Sequence, residues 1–238
     1  MVVDAGIWAV VPAAGVGARM RAQMPKQYLP LLGRPVILHT LERLCSYPRL
    51  RGVLLGIASD DTHWPSLALP DLDKFIGTYP GGSMRAQTVL SGLNVLATHA
   101  HDDDWVMVHD AVRPCVRHDD LDKLVTAARS NSDGALLAIP LTDTLKRADS
   151  SGRVQQTVPR VNLWRALTPQ IFQVGRLRQA LASALARGED PTDEAAAIES
   201  AGGRPMIVEG HPDNIKITLP ADLALAELYL KQQREGAA

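Results

Sequence analysis

Continuous apolar runs alternating with helix-period segments constrain this chain more than any other feature. The runs cover residues 7–11, 53–58, 75–78, 105–109 and 135–140, with another at 206–209. None alternates apolar with polar residues, so each reads as a strand buried on both faces. Between them, 36–46, 85–97 and 119–129 carry helical spacing, as in Val89, Leu90, Leu93 and Ala97 or Leu121, Leu124, Val125 and Ala128. That order predicts an α/β fold, an open and mostly parallel sheet with helices on both faces. Ligands in such sheets bind at the carboxyl ends of the strands.

The pattern changes after residue 140. Residues 142–147 and 154–158 read as two short strands around Asp149-Ser150-Ser151-Gly152, and no helix of useful length fits between 141 and 172. We expect this segment to leave the sheet as an extended arm. An isolated hairpin is marginal in water, so the arm needs a surface to pack on, most simply a second subunit. Helices are expected again at 174–187, at 195–201 with Thr192 as N-cap, and at 221–233 behind Pro220. Residues 214–218 read as a short strand. The simplest description is one domain, 1–238, with an arm at about 141–172.

The chain of 238 residues carries a net charge of −1, so no general basic field marks a nucleic-acid binder, and any anion site must be a local cluster of cations. No apolar run is long enough to span a membrane, and the first residues lack a signal-peptide pattern. We therefore expect a cytoplasmic protein that engages neither nucleic acid nor membrane. Cys45 and Cys115 lie in unrelated contexts without a local base and are expected to be reduced, with Cys45 in the core.

The first run ends at Pro12 in a loop of small residues, Ala13-Ala14-Gly15-Val16-Gly17, followed by Arg19 and by Lys26 seven positions later. Small residues let a backbone approach a ligand closely, and its N–H groups can line an anion. The loop is no dinucleotide fingerprint, because Met20 stands where the third glycine belongs, and no Gly-Lys pair exists to make a Walker A loop. Gly15 and Gly17 also suit a plain tight turn. Arg19 and Lys26 favour a nucleoside triphosphate site.

Three further stretches carry candidate chemistry. The run 105–109 ends in His109-Asp110 with Arg113 beyond. Asp110 suits either the anchor of a magnesium nucleotide or a cap paired locally with Arg113, and His109 reads as hydrogen-bonded structure. Gly81-Gly82-Ser83 precedes a helix, either as a second backbone-lined polar site or as a loop with Ser83 as N-cap. Lys216 and Arg160 by themselves read as surface cations. His99, His101 and Asp102 to Asp104 show no ligand spacing and read as a solvated loop.

Taken together, Ala13 to Met20, Pro25-Lys26-Gln27-Tyr28, Gly81-Gly82, His109 to Cys115, Leu167-Thr168-Pro169-Gln170, Thr192-Asp193-Glu194 and Asn214-Ile215-Lys216 resemble the 2-C-methyl-D-erythritol 4-phosphate cytidylyltransferase family, in the right order from residue 7 to about 230. The resemblance implies a Rossmann-like nucleotidyltransferase fold. It implies transfer of CMP from CTP to the erythritol phosphate with release of pyrophosphate, a step of non-mevalonate isoprenoid synthesis. It also implies a divalent cation, normally Mg²⁺, and a homodimer with an interlocking arm.

By position, the resemblance makes Arg19 and Lys26, with Arg160 and Lys216, the catalytic cations. It assigns the nucleotide to Pro12, Ala13, Ala14, Gly15, Gly17, Gly82, Ser83 and Thr88. Asp110 would contact metal or a substrate hydroxyl, and Arg113, Thr144 and Thr168 would join Arg160 and Lys216 around the acceptor. Thr144 and Arg160 would reach the partner's site. Ser83 departs from the acidic residue that many members carry there. A phosphate acceptor is already nucleophilic, so no general base is needed. The alternatives are a ribitol-5-phosphate cytidylyltransferase of the same fold and a non-catalytic nucleotide-binding module.

Overall fold

The structure, a computed structural model, describes residues 5–15 and 24–236. In chain order the first elements are β1 (Ile7–Pro12), the two-residue ladder of β2 (Pro30–Leu31) and β3 (Arg34–Pro35), α1 (Val36–Cys45), β4 (Leu50–Ile57), β5 (Phe75–Pro80) and α2 (Arg85–Leu96). They are followed by β6 (Trp105–Val108), α3 (His118–Ser130), β7 (Ala135–Pro140), β8 (Leu145–Ala148) and β9 (Val154–Val158). The chain ends with β10 (Trp164–Gln173), α4 (Val174–Ala186), α5 (Glu194–Ser200), β11 (Met206–Glu209) and α6 (Pro220–Glu235).

Seven strands form the main sheet in the order β11-β7-β10-β6-β1-β4-β5. Strand β1 is parallel to both β4 and β6, β4 to β5, and β7 to β11. Strand β10 alone is antiparallel, and it joins β6 to β7. The expected α/β sheet with helices on both faces is therefore present. Alternate residues of each strand face opposite layers, as the period of two requires. Ala9, Val11, Val53, Leu55 and Met107 pack with Leu41 of α1 and with Leu121 and Leu124 of α3. Trp8, Val10, Leu54, Val106 and Val108 pack with Val89 and Leu93 of α2, Leu177 and Leu181 of α4 and Ile198 of α5. Helix α6 packs on a smaller cluster with Leu31, Val36, Val112, Cys115 and Ile217.

Several expectations need correction. The segment 141–172 does not all leave the sheet. Residues 164–172 lie in β10, which is central and buried from Leu167 to Phe172. Pro169 argues against a central strand, but the β7–β10 register slips between Ala166 and Gln170, and such an irregularity accommodates proline. The excursion proper is 141–163, with β8 paired antiparallel to β9 and Leu141 N–H bonded to Leu163 O.

Residues 214–218 form no strand. Their backbone docks on the turn after β6 instead, with Ile217 N–H donating to Val112 O at 2.9 Å. Asp193, not Thr192, caps α5, accepting from Ala196 N–H at 2.9 Å. Met84, not Ser83, occupies the cap position of α2. The stretch 99–104 is not simply solvated either. Asp104 is buried and accepts from Gly6 N–H, Trp8 Nε1 and His101 N–H, clasping β1 to the start of β6.

Gly134 tests the packing of β10. Its φ is +82°, and a Cβ there would strike the Phe172 ring and the Ile171 carbonyl. Gly134→Ala should lower stability by about 2 kcal/mol or more, read as a shift of the urea midpoint at unchanged m-value.

Candidate active site

The small-residue loop leaves β1 beside β4, where Ala13 N–H donates to Gly56 O at 2.7 Å. Gln27, buried in the short 3₁₀ turn that carries Lys26, donates through Nε2 to Ala13 O at 2.9 Å and to Gly15 O at 3.4 Å. Holding these carbonyls from behind leaves the loop free to line a cleft. Tyr28 Oη anchors the same turn on Asp61 at 2.6 Å. Opposite stands Gly81, where a Cβ would collide with Ala14 Cβ. Two backbones approach here as only glycine allows. Thr88 of α2 accepts from Gly82 N–H at 3.1 Å and so fixes the second Gly-rich turn.

Between the two turns lies a cleft of roughly 170 Å³, open to solvent on one side. Of the residues predicted for the nucleotide, Pro12, Ala13, Ala14, Gly15, Gly82, Ser83 and Thr88 all line it. So do Lys26, Asp110 and Lys216. Gly17 and Arg19 lie outside the described residues. Strand-end geometry thus gathers segments near residues 12, 82, 110 and 216 on one opening.

Asp110 is 6% exposed and ringed by cations. Its Oδ2 accepts from Lys216 Nζ at 3.0 Å and Arg113 Nε at 3.2 Å, while Oδ1 faces Arg85 Nε at 3.5 Å. Burial opposes ionisation, but Arg85, Lys216 and Arg113 outweigh it and hold the carboxyl well below its ordinary range. The local pairing with Arg113 is real, yet it is one contact of three. Arg113 also donates to Asn214 O at 2.8 Å, and Asn214 Nδ2 donates to Thr168 O at 2.8 Å. Thr168 Oγ1 in turn accepts from Asp110 N–H at 3.0 Å. Strand β10, the 214–218 loop and the end of β6 are therefore interlocked.

Arg113 and Thr168 line a second cavity, which shares Arg85, Asp110 and Lys216 with the first. Thr144 and Arg160 line neither. Both are exposed on the excursion, where Arg160 donates to Thr142 O. Sequence reading missed Arg85, which binds buried Glu194 through both Nη atoms, and Gln27. Gln27 lay inside a motif already noted and Arg85 two residues beyond Gly81-Gly82-Ser83, but only the fold shows what they touch.

No side chain seen here is a free base. His109 is fully buried, with Nε2 bonded to Arg113 O and Nδ1 beside Thr168 Oγ1. Burial lowers its pKa to about 4. The Cys45 and Cys115 thiols are buried and pushed up to about 11 and about 12 by desolvation, so neither is a ready thiolate. Among the described residues, Asp119, Asp120 and His211 form a possible metal-binding group, but they line neither cavity, and Lys123 pairs with Asp120.

His109 yields a pH signature. Its folded pKa lies below the unfolded value near 6.5, so the folded state binds fewer protons between the two. Its contribution is complete above pH ~6.5 and is lost as pH falls towards 4, to the extent of roughly 3 kcal/mol. Denaturant midpoints across that window should fall more steeply for the wild type than for His109→Gln. Gln27→Leu, which releases the loop carbonyls, should weaken nucleotide binding about tenfold by calorimetry with little change in the far-ultraviolet spectrum.

Comparison with known proteins identifies the family. The sequence model of the family "IspD: 2-C-methyl-D-erythritol 4-phosphate cytidylyltransferase" matches residues 7–232. The 2-C-methyl-D-erythritol 4-phosphate cytidylyltransferase of Vibrio atlanticus is 50% identical over 227 residues, covering 95% of this chain and 96% of the relative. That of Pseudomonas putida is 52% identical over 230 residues, 96% of each chain. The crystal structure of the Francisella tularensis enzyme superposes with a TM-score of 0.82 at 33% identity, covering 94% of this chain and 99% of that one. Identity of this order along nearly the whole length, over the same fold, shows that the chain belongs to the 2-C-methyl-D-erythritol 4-phosphate cytidylyltransferase family.

Proposed function

We propose that the protein transfers CMP from CTP to 2-C-methyl-D-erythritol 4-phosphate, releasing pyrophosphate and forming 4-diphosphocytidyl-2-C-methyl-D-erythritol for isoprenoid synthesis. The observation that carries this reading is the sharing of Asp110 and Lys216 by two adjoining cavities, one walled by backbone turns and the other by Arg113 and Thr168. The first suits a nucleotide and the second a phosphorylated polyol. Lys216, at their junction, is positioned for the phosphate that changes hands.

The reaction needs no protein nucleophile. The acceptor phosphate attacks the α-phosphorus in line, and the charge that builds on the α-phosphate oxygens is met by Lys26 and Lys216, with Arg19 by family position. Catalysis is then positioning and charge neutralisation. A buried neutral His109 and inert cysteines are consistent with that chemistry.

Mg²⁺ would enter with CTP. Asp110 is the carboxylate of the nucleotide cleft among the described residues, and Lys216 and Arg113 already hold its Oδ2. It therefore offers the ion one oxygen, Oδ1, and the triphosphate must supply most of the rest, as is usual for magnesium nucleotides. The ion would neutralise phosphate charge.

We further propose that the chain is one catalytic domain working as a dimer, its arm delivering Thr144 and Arg160 to the partner's acceptor cavity. The support is that both residues lie on the excursion and line neither of these two cavities, while Val154, Val161 and Leu163 on it, and Trp164 at its foot, are exposed apolar residues. No helix among the described residues is long and apolar enough to cross a membrane. We assign the enzyme to the cytoplasm, where CTP is made.

A pyrophosphate-release assay tests the activity. Release with the erythritol phosphate and little with ribitol 5-phosphate is expected. Preference for the latter would reassign the acceptor, and CTP binding without any release would indicate a non-catalytic module. Lys26→Ala should lower kcat by roughly 10²–10³-fold, as loss of one transition-state donor does elsewhere. Arg160→Ala should raise the acceptor KM and leave CTP affinity nearly unchanged.

A further inference from the structure

Arg85 lines both cavities, yet its fork is held by Glu194, which lines neither. Nη1 and Nη2 donate to Glu194 Oε1 and Oε2 at 2.6 and 3.1 Å. Only the Nε edge faces Asp110, and at 3.5 Å it is well beyond a strong charge-assisted bond. Glu194 is 1% exposed, and Arg85 engages both of its carboxylate oxygens. It opens α5, whose start is tied to β10: Gln170 Nε2 donates to Asp193 Oδ2, and Gln170 Oε1 accepts from Ala195 N–H, both at 2.8 Å. The carboxylate is thus delivered to Arg85 by a fixed frame.

Two buried carboxylates compete for this one guanidinium. A bidentate pair is the stronger geometry, and Glu194 has it. The consequence falls on Asp110, whose two oxygens differ. Oδ2 is engaged by Lys216 and Arg113, while Oδ1 has, among the described residues, the loose approach of Arg85. Were the charge of Glu194 removed, Asp110 would be the remaining carboxylate in contact with Arg85. The guanidinium would then turn onto Oδ1 and engage the second oxygen of Asp110 as well.

We propose that Glu194 is a positioning residue: by gripping Arg85 through its Nη edge, it keeps Asp110 Oδ1 open to accept an electropositive group of the bound ligands, a substrate hydroxyl or the nucleotide's cation. The proposal deepens the transferase reading and rests on it for its kinetic arm alone.

The test is Glu194→Gln, alone and with Arg85→Gln. A crystal structure of the single variant should show Arg85 moved onto Asp110 with two contacts under about 3.2 Å. A guanidinium left in place overturns the proposal whatever the protein catalyses. In the pyrophosphate assay, kcat/KM of the single variant should fall about tenfold, and the double variant should regain most of it because no guanidinium remains to close Oδ1. A merely structural role predicts no such recovery, and a double variant no more active than the single one overturns the proposal. A deficit in CTP binding seen only with Mg²⁺ assigns Oδ1 to the cation, and one confined to the acceptor KM assigns it to a hydroxyl. If the single variant does not fold, the double variant decides: kcat/KM within about tenfold of wild type supports the proposal and a larger loss overturns it. An inactive wild type would refute the transferase reading and leave the crystallographic result standing.

Discussion

One buried carboxylate organises this molecule. Asp110 gives up its water at the end of β6, a cost that no single cation offsets. Arg85, Arg113 and Lys216 offset it together, and they arrive from α2, from the turn after β6 and from the 214–218 loop. Each of those segments is held by the shared pairing as well as by its own packing. Even the backbone N–H of Asp110 is used, donating to Thr168 of β10. The geometry of the cleft and the way the C-terminal third docks on the sheet are thus one arrangement.

The nucleotide side is built differently. Neutral groups shape it: Gln27 behind the first turn, Gly81 at the closest approach of the two loops and Thr88 beneath the second turn. In the proposed transferase a backbone wall of this kind reads base and ribose by shape and amide contacts, and Lys26 and Lys216, which line the same cleft, meet the phosphates. Such a local pair of cations would hold a polyanion although the protein as a whole is nearly neutral.

Much of this was legible in the sequence because it is local. A strand with both faces buried, a glycine turn and a helix period are written in consecutive residues, so the parallel strands and main helices lie close to where the apolar runs placed them. What escaped was long-range. Arg85 and Glu194 are separated by 109 positions, and neither residue type at its place announces the other. Strand β10 escaped for a different reason. Thr168, Pro169 and Gln170 interrupt its apolar pattern, yet they sit in the middle of the sheet because Thr168 and Gln170 serve the site and α5. Residues 214–218 have a strand-like pattern but meet no strand edge, so they dock by single hydrogen bonds on the turn at Val112.

Strands β7 and β10 are neighbours in the sheet and also the two legs of the 141–163 excursion, with Leu141 and Leu163 continuing the ladder outwards. The arm is therefore the far end of one long ribbon whose near end carries Thr168. That near end is tied to the turn after β6 by the hydrogen bond from Asp110 N–H to Thr168 Oγ1. Changes in arm length at the turn near Gly152 would leave the foot undisturbed, whereas changes in twist near Trp164 would be felt at Asp110.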